Sequence, residues 1–427
     1  MYGMPDIQRR SPLMEQPHKA HGNSQSGVGR RSILQLRYMP RWSAILVLFA
    51  GCVVSYAQLP ASATLSDRDW PLFRAEVGRI ENLLSSAPDT ATITYQMART
   101  WAAAKQWPET MLWLQKVVDL RAGLDPSRDS VFAELRGTRE FDGILSAVRE
   151  VTPPVLHSNP AFVVAEGDLA PENMAYDPKG KKFYFGSMRK GKVVRCSPTG
   201  NCAQFAGGLG TVLGLKVRRG GLWLLNNSDT ESALIHYDLA SARLVRKYSV
   251  AGSGHNFNDL AIVTRGDVYL TDTRAGAVWH LANGATDLTR YPGRFEFANG
   301  ITLSPDQSLL YVSTFPDGIT MVDLKTHAVT PIARPAGVCL AAIDGLYFYN
   351  GTLIAIQNGF MTPRIARFSL SRNLRTIERF EILERRNLLF EGVTTGVVAG
   401  DEFFYMANIQ DDKETGFNPI RVLKLHL

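Results

Sequence analysis

Four oxygen-bearing side chains, Glu172, Asn258, Asn299 and Asp344, stand at the heads of separate apolar segments in this 427-residue chain. Carboxylate and carboxamide oxygens are the donors that hard cations take, so the four together would suit calcium or magnesium. Two acids and two amides carry a formal charge of about −2, which one divalent ion neutralises. None of these positions is a histidine or cysteine, which argues against zinc or copper. Asn-Gly and Asp-Gly are also ordinary turn dipeptides, so any one of the four read alone says only that. A site exists if the fold brings them to one place.

The elements that would do so form a repeat. Written in register, Glu172–Ser187, Gly214–Asn226, Asn258–Thr273, Asn299–Thr314, Asp344–Asn358 and Thr395–Asn408 share one pattern. Each is an apolar run, a turn rich in Gly, Asp, Pro or Asn, and a second apolar run, which reads as a β-hairpin. The anchors recur roughly every 40–50 residues, leaving room for two more strands per unit, the signature of a propeller blade. The fold class is therefore mainly β: a six-bladed β-propeller over residues 160–427. The runs Phe162–Ala165 and Arg421–Leu427 are placed to pair and close the ring, removing its sheet edges. A parallel β-helix or a pair of sandwiches does not explain one register held through six long units. In a propeller the first positions of successive units lie on a ring around the channel. Four of those six positions then aim oxygen donors at one axis, where unpaired burial is costly. Asn226, Asp272 and Asn358 end second strands and read as turn caps.

Residues 65–150 carry apolar residues at helical spacing. Trp70–Leu84, Ala91–Lys105 and Pro108–Leu120 read as three helices, the last two with the small/large alternation of a tetratricopeptide-type hairpin. Pro108 suits a helix start and Gly123 a stop. One such unit cannot bury its own apolar face, so it packs on the propeller or on a protein partner. Thr152-Pro153-Pro154 and Ser158-Asn159-Pro160 mark the boundary with the propeller.

Residues 1–57 read as a targeting segment. A basic stretch, the apolar run Ala44–Val54 and Ser55-Tyr56-Ala57 describe an export signal with its cleavage site. Met39 is an alternative start that gives such a signal ordinary proportions. Gly51-Cys52 offers a second reading, a lipidated Cys52 and a membrane anchor. The apolar run is too short for a membrane span. Both readings place the protein outside the cytoplasm, periplasmic or secreted, where disulfides form. Cys196 and Cys202 flank Ser-Pro-Thr-Gly-Asn, a turn that brings them face to face for a disulfide; Cys339 is left as a buried thiol. The formal net charge of +7 invites a nucleic-acid reading, but much of the excess lies in the targeting segment. No nucleic-acid partner is therefore expected.

The stretches Pro171-Glu172, Phe257-Asn258-Asp259, Ala298-Asn299-Gly300 with Ser304-Pro305-Asp306, and Ile343-Asp344-Gly345 resemble the family of gluconolactonase, senescence marker protein 30 and luciferin-regenerating enzyme. The resemblance covers the propeller and extends more distantly to the paraoxonases. It implies a divalent metal, usually calcium, at the channel floor, which polarises a lactone or ester carbonyl and readies a water. Carried over, Glu172, Asn299 and Asp344 are metal ligands, Asn258 a ligand or substrate contact, and Asp344 also the general base. One departure stands out. Sugar-lactone members often place an arginine where this chain has Asn256, so the contact with substrate hydroxyls differs. His255, beside it, is a candidate proton carrier or substrate contact at the channel mouth, and Tyr347 and Phe315 are candidates to line that mouth. The function implied is a calcium-dependent hydrolase of lactones or related esters acting on a small molecule. The alternative is a non-catalytic binding propeller with a structural metal. A quinone-dependent oxidoreductase would need a catalytic histidine and basic residues that no repeat start supplies.

Overall fold

The computed structural model describes residues 59–86, 90–314, 318–408 and 417–427. The expectations placed on the targeting segment, Met39, Cys52 and Phe315 lie outside them. Among the described residues, no helix is long and apolar enough to cross a membrane.

Strand-forming runs rich in Val, Ile, Leu, Tyr and Phe alternate with turns throughout the C-terminal part. They assemble into six four-stranded antiparallel sheets, the blades of a propeller. Their inner strands are Met174–Asp177, Thr211–Arg218, Phe257–Ile262, Ile301–Leu303, Ile343–Tyr349 and Gly396–Ala399, for blades 1 to 6. In blades 1 to 5 the four strands follow one another outward in chain order. Blade 6 is built from both ends of the ring. Its outermost strand, Asn159–Val164, pairs antiparallel with the last strand, Ile420–His426, with Phe162 opposite Val422. This is the closure expected from the sequence.

Neighbouring blades bury apolar layers against one another. Leu225, Leu234, Phe257 and Leu270 join blades 2 and 3, and Tyr347, Ile354, Phe403 and Tyr405 join blades 5 and 6. Tyr347 is thus a core residue, its hydroxyl accepting from the Gly396 amide at 2.7 Å, and does not line the channel mouth. A blade cannot bury both faces alone, so each contributes to its neighbours and the ring is one cooperative unit.

Four helices precede the ring: α1 (Asp69–Ser86), α2 (Thr90–Ala103), α3 (Trp107–Asp119) and α4 (Arg139–Val151). Pro108 lies in the first turn of α3, where its missing N–H costs nothing. Thr138 caps α4 through a bond from the Phe141 amide. Helices α2 to α4 and the turns between them share one core, including Tyr95, Trp107, Leu114, Phe132 and Phe141, which continues into Cys339, Ala341, Phe360 and Met361 of blade 5, while Ile80 of α1 packs on Ile93 and Met97 of α2. The apolar face that one helical hairpin leaves open is covered by the propeller itself.

Candidate metal centre

Local backbone irregularities aim the site. The inner strands of blades 2, 3 and 5 each lose register for two residues, between Val212 and Leu215, Phe257 and Leu260, and Ile343 and Leu346. The residues set free are Leu213-Gly214, Asn258-Asp259 and Asp344-Gly345. A bulge re-aims a side chain that regular pairing would lock to one face of the sheet. Glu172 and Asn299 stand just ahead of the inner strands of blades 1 and 4. Glycine permits the close approach: a Cβ on Gly300 would lie 2.6 Å from the Asp344 carbonyl oxygen and 2.7 Å from the Leu346 nitrogen. At Gly214, the polar-free position of the ring, a Cβ would meet the Asn258 carbonyl oxygen at 2.6 Å. The inner strands therefore press backbone to backbone.

Asp344 is the hub. The side-chain amide of Asn299 donates to its Oδ1 at 2.7 Å, and that of Asn358 donates to its Oδ2 at 2.6 Å. Asn358 also donates to the Val393 carbonyl at 2.9 Å, bridging blades 5 and 6. The strand-end asparagine expected to cap a turn thus holds the central carboxylate. Asn226 does serve as a cap, accepting from the Gly210 amide at 2.7 Å. Asn258 donates to Thr273 Oγ1 at 3.1 Å. Across the channel, the Glu172 backbone carbonyl accepts from Thr394 and Thr395 hydroxyls, fixing its place against blade 6. The carboxyl end of Glu172 is only 2% exposed as part of its residue, and its Oε1 has no hydrogen-bond partner.

Each of the two asparagines gives one amide hydrogen bond to a protein neighbour. The side-chain oxygens of Asn258 and Asn299, and Oε1 of Glu172, are left without a protein partner among the described residues. No Lys or Arg of the described residues forms an ion pair with Glu172 or Asp344. Burial pushes the Glu172 carboxyl well above the usual carboxylate range, and repulsion from Asp344 adds to it. Burial likewise raises Asp344, to about 6, against the opposing donation from Asn358 and Asn299 and with help from the negative Asp259. Two carboxyls crowded in a dry channel are what a cation would relieve. The oxygens present fit a hard one.

One layer further along the channel, Asp259 accepts from the Ile301 amide at 3.2 Å and lies 3.5 Å from Lys216 Nζ. Asn173 donates to the same carboxylate at 3.4 Å. This second polar layer carries its own cation and so is internally compensated. Among the described residues, no three His, Cys, Asp or Glu side chains group as a metal site. The cluster described above has two carboxylates completed by amides.

His255 faces another way. Its Nδ1 lies 2.6 Å from Asp272 Oδ2, and its ring meets Trp279 edge-on at 5.5 Å. The fully buried Asp272 also accepts from the Asn256 and Ala275 amides and from Trp279 Nε1. The pair ties down the loop that leads into blade 3. The Asn256 side chain is half-buried, two residues from Asn258, and has no hydrogen-bond partner among the described residues. Cys196 and Cys202 form a disulfide across paired strands of blade 1, and Cys339 is a buried thiol 3.7 Å from Thr92 Oγ1.

Six blades around a channel whose first layer is acid and amide define a propeller of the kind that presents oxygen donors at its axis. Residues 170–347, which include all four of those side chains, match the family described as SMP-30/Gluconolactonase/LRE-like region. No curated protein matches the chain. Among solved structures, it is similar to a luciferin-regenerating enzyme at 14% identity (64% of this chain, 96% of that one, TM-score 0.46). It is also similar to a gluconolactonase from Xanthomonas campestris at 16% identity (64% and 97%, TM-score 0.45). A third is the calcium-binding protein regucalcin from Agrobacterium tumefaciens, at 13% identity (63% and 93%, TM-score 0.44).

Proposed function

We propose that Glu172, Asn258, Asn299 and Asp344 hold a divalent cation, calcium foremost, and that the protein is an exported hydrolase of lactones or related esters. The observation that carries this reading is the uncompensated pair of buried carboxyls, set beside the side-chain oxygens of two asparagines that each give one amide hydrogen bond to a neighbour. A calcium ion there would supply Lewis acidity toward a substrate carbonyl. The chain's own part is orientation and proton handling. Asn299 and Asn358 fix the plane of the Asp344 carboxylate, one on each oxygen. The raised proton affinity, to about 6, belongs to the metal-free chain; a bound cation would favour the ionised carboxylate, which would take a proton from a water at Oδ1 or Oδ2. Asn256 offers the channel a short amide in place of a longer cation, which suits a substrate poorer in hydroxyls than a sugar lactone. Export rests on the apolar run Ala44–Val54 and the small residues that follow it.

The tight burial of the cluster favours a second reading, a structural ion in a binding propeller. Glu172, Asn258 and Asp344 are 2%, 4% and 6% exposed. The test is metal analysis and calcium calorimetry on the wild type and Asp344→Ala, followed by a panel of lactones and aryl esters. Bound calcium, with turnover lost on chelation or substitution, supports the hydrolase. Calcium that raises the melting temperature without any turnover favours the structural ion. If the wild type binds no divalent cation, both readings fall.

A further inference from the structure

The buried arginine at the seam between helices and propeller is unused by the chemistry above. Arg364 is 2% exposed. It lies at the start of the third strand of blade 5, opposite Gln357 of the second. Its Nε donates to Gln357 Oε1 at 2.8 Å, its Nη1 to the Ala122 carbonyl at 2.9 Å and its Nη2 to the Cys339 carbonyl at 3.4 Å. Gln357 in turn donates to the Ala341 carbonyl at 2.6 Å and the Cys339 carbonyl at 3.2 Å. One guanidinium thus joins three pieces of chain. They are the end of the α3 segment, the loop that runs into Asp344, and the strand that runs into Asn358.

The surroundings are built to receive it. Gly123 has φ +93°, and a Cβ there would lie 2.8 Å from Arg364 Nη1. The Thr362 amide donates to the Gly123 carbonyl and the Asp125 amide to the Phe360 carbonyl, both at 2.7 Å. The helical segment therefore adds a short run of backbone pairing to the blade at this point. Phe360 stacks on Tyr95 of α2 at 5.2 Å. Only one residue separates Asn358 from Phe360, and two separate Ala341 from Asp344. A shift of the helices has little chain in which to dissipate before it reaches the carboxylate.

We propose that Arg364 is a positioning residue that couples the helical segment to the Asp344–Asn358 pair. The statement rests on the geometry of that pair; its consequence for calcium rests on the function proposed above. A lysine keeps the charge but lacks the planar fork that reaches three acceptors in different directions. A second arginine supplies the control. Arg386 Nε donates to Thr152 O and Oγ1 at 2.9 Å, so it also ties the helices to blade 5, but it does not contact either strand end that carries Asp344 or Asn358.

The experiment is amide hydrogen exchange by mass spectrometry on the full chain without calcium, beside calcium calorimetry, for wild type, Arg364→Met, Arg364→Lys and Arg386→Met. The expected result is exchange about tenfold faster in segments 339–344 and 357–358 for Arg364→Met, with an intermediate effect for Arg364→Lys. Calcium affinity should fall about tenfold in parallel. Arg386→Met should lower the melting temperature and leave both segments and the affinity as in wild type. Unchanged exchange in those segments, or the same acceleration in Arg386→Met, overturns the proposal. If wild type binds no calcium, the metal reading fails, and the exchange comparison alone decides whether Arg364 positions the pair. Should Arg364→Met not fold, Arg364→Lys carries the same comparison.

Discussion

Asp344 and Glu172 set the protonation behaviour of the channel. Both carboxyls bind protons more tightly in the folded chain than in the unfolded one. Their contribution to stability is therefore present below the unfolded carboxylate pKa and is lost as pH rises through the folded values, about 6 for Asp344. The calcium-free protein is expected to melt at progressively lower temperature as pH is raised from about 4 to 7, a trend that saturating calcium flattens or reverses. Glu172→Gln removes one member of the repelling pair. The calcium-free variant should gain a few degrees in melting temperature at pH 7, roughly the effect of 1 kcal/mol, while losing calcium binding. A melting curve at two pH values, with and without calcium, checks both. The approach of Glu172 and Asn299 to Asp344 was legible in the sequence because register, not residue type, marks them out. Asn358 was not, because an asparagine that ends a strand looks the same whether it caps a turn or reaches across to a carboxylate. The partner of His255 was not legible either, because Asp272 lies on the next strand.

At the scale of elements, the hairpins of all six blades could be read from their apolar runs and turns. What the pattern concealed was the bulge. Asp344-Gly345 has the composition of a tight turn, but here it is the pair of residues released from a strand that continues to Tyr349. The glycine beside Asn299 answers a different need, the contact between the inner strands of blades 4 and 5. Gly300→Ala should force those strands apart and lengthen the Asn299–Asp344 bond. The expected loss is about 1–3 kcal/mol in denaturant unfolding, within the range for overpacking, with weaker calcium binding as a companion effect. A substitution of similar size at an exposed turn, Gly351→Ala, touches nothing within 4 Å but carries φ +74°. It should cost stability through backbone strain and leave the calcium affinity unchanged.

For the whole molecule, helical spacing and the β repeat stood out in the sequence as two different patterns. They did not disclose which surface of the ring the helices cover, because that contact is made by Cys339, Phe360 and Met361, ordinary apolar residues in loops between strands. Ring closure was visible in the terminal apolar runs, and it makes a testable demand. Ending the chain at Pro419 removes the strand Ile420–His426 and leaves Asn159–Val164 without its partner. Such a chain is expected to lose its single cooperative unfolding transition and to become a substrate for limited proteolysis across blade 6, read by calorimetry and by the fragment pattern.

The same shared blade constrains how the protein can be made. Synthesis delivers the chain from its N-terminus, so the strand Asn159–Val164 is finished before any of the six blades. Its hydrogen-bonding partner, Ile420–His426, appears only after the strands of the other five blades. During the whole of elongation, one edge of an unfinished sheet stands open to any other strand nearby, including that of a neighbouring nascent chain. The ring can close only once Ile420–His426 has been made, which makes the interval before that pairing the period in which chaperones have most to protect.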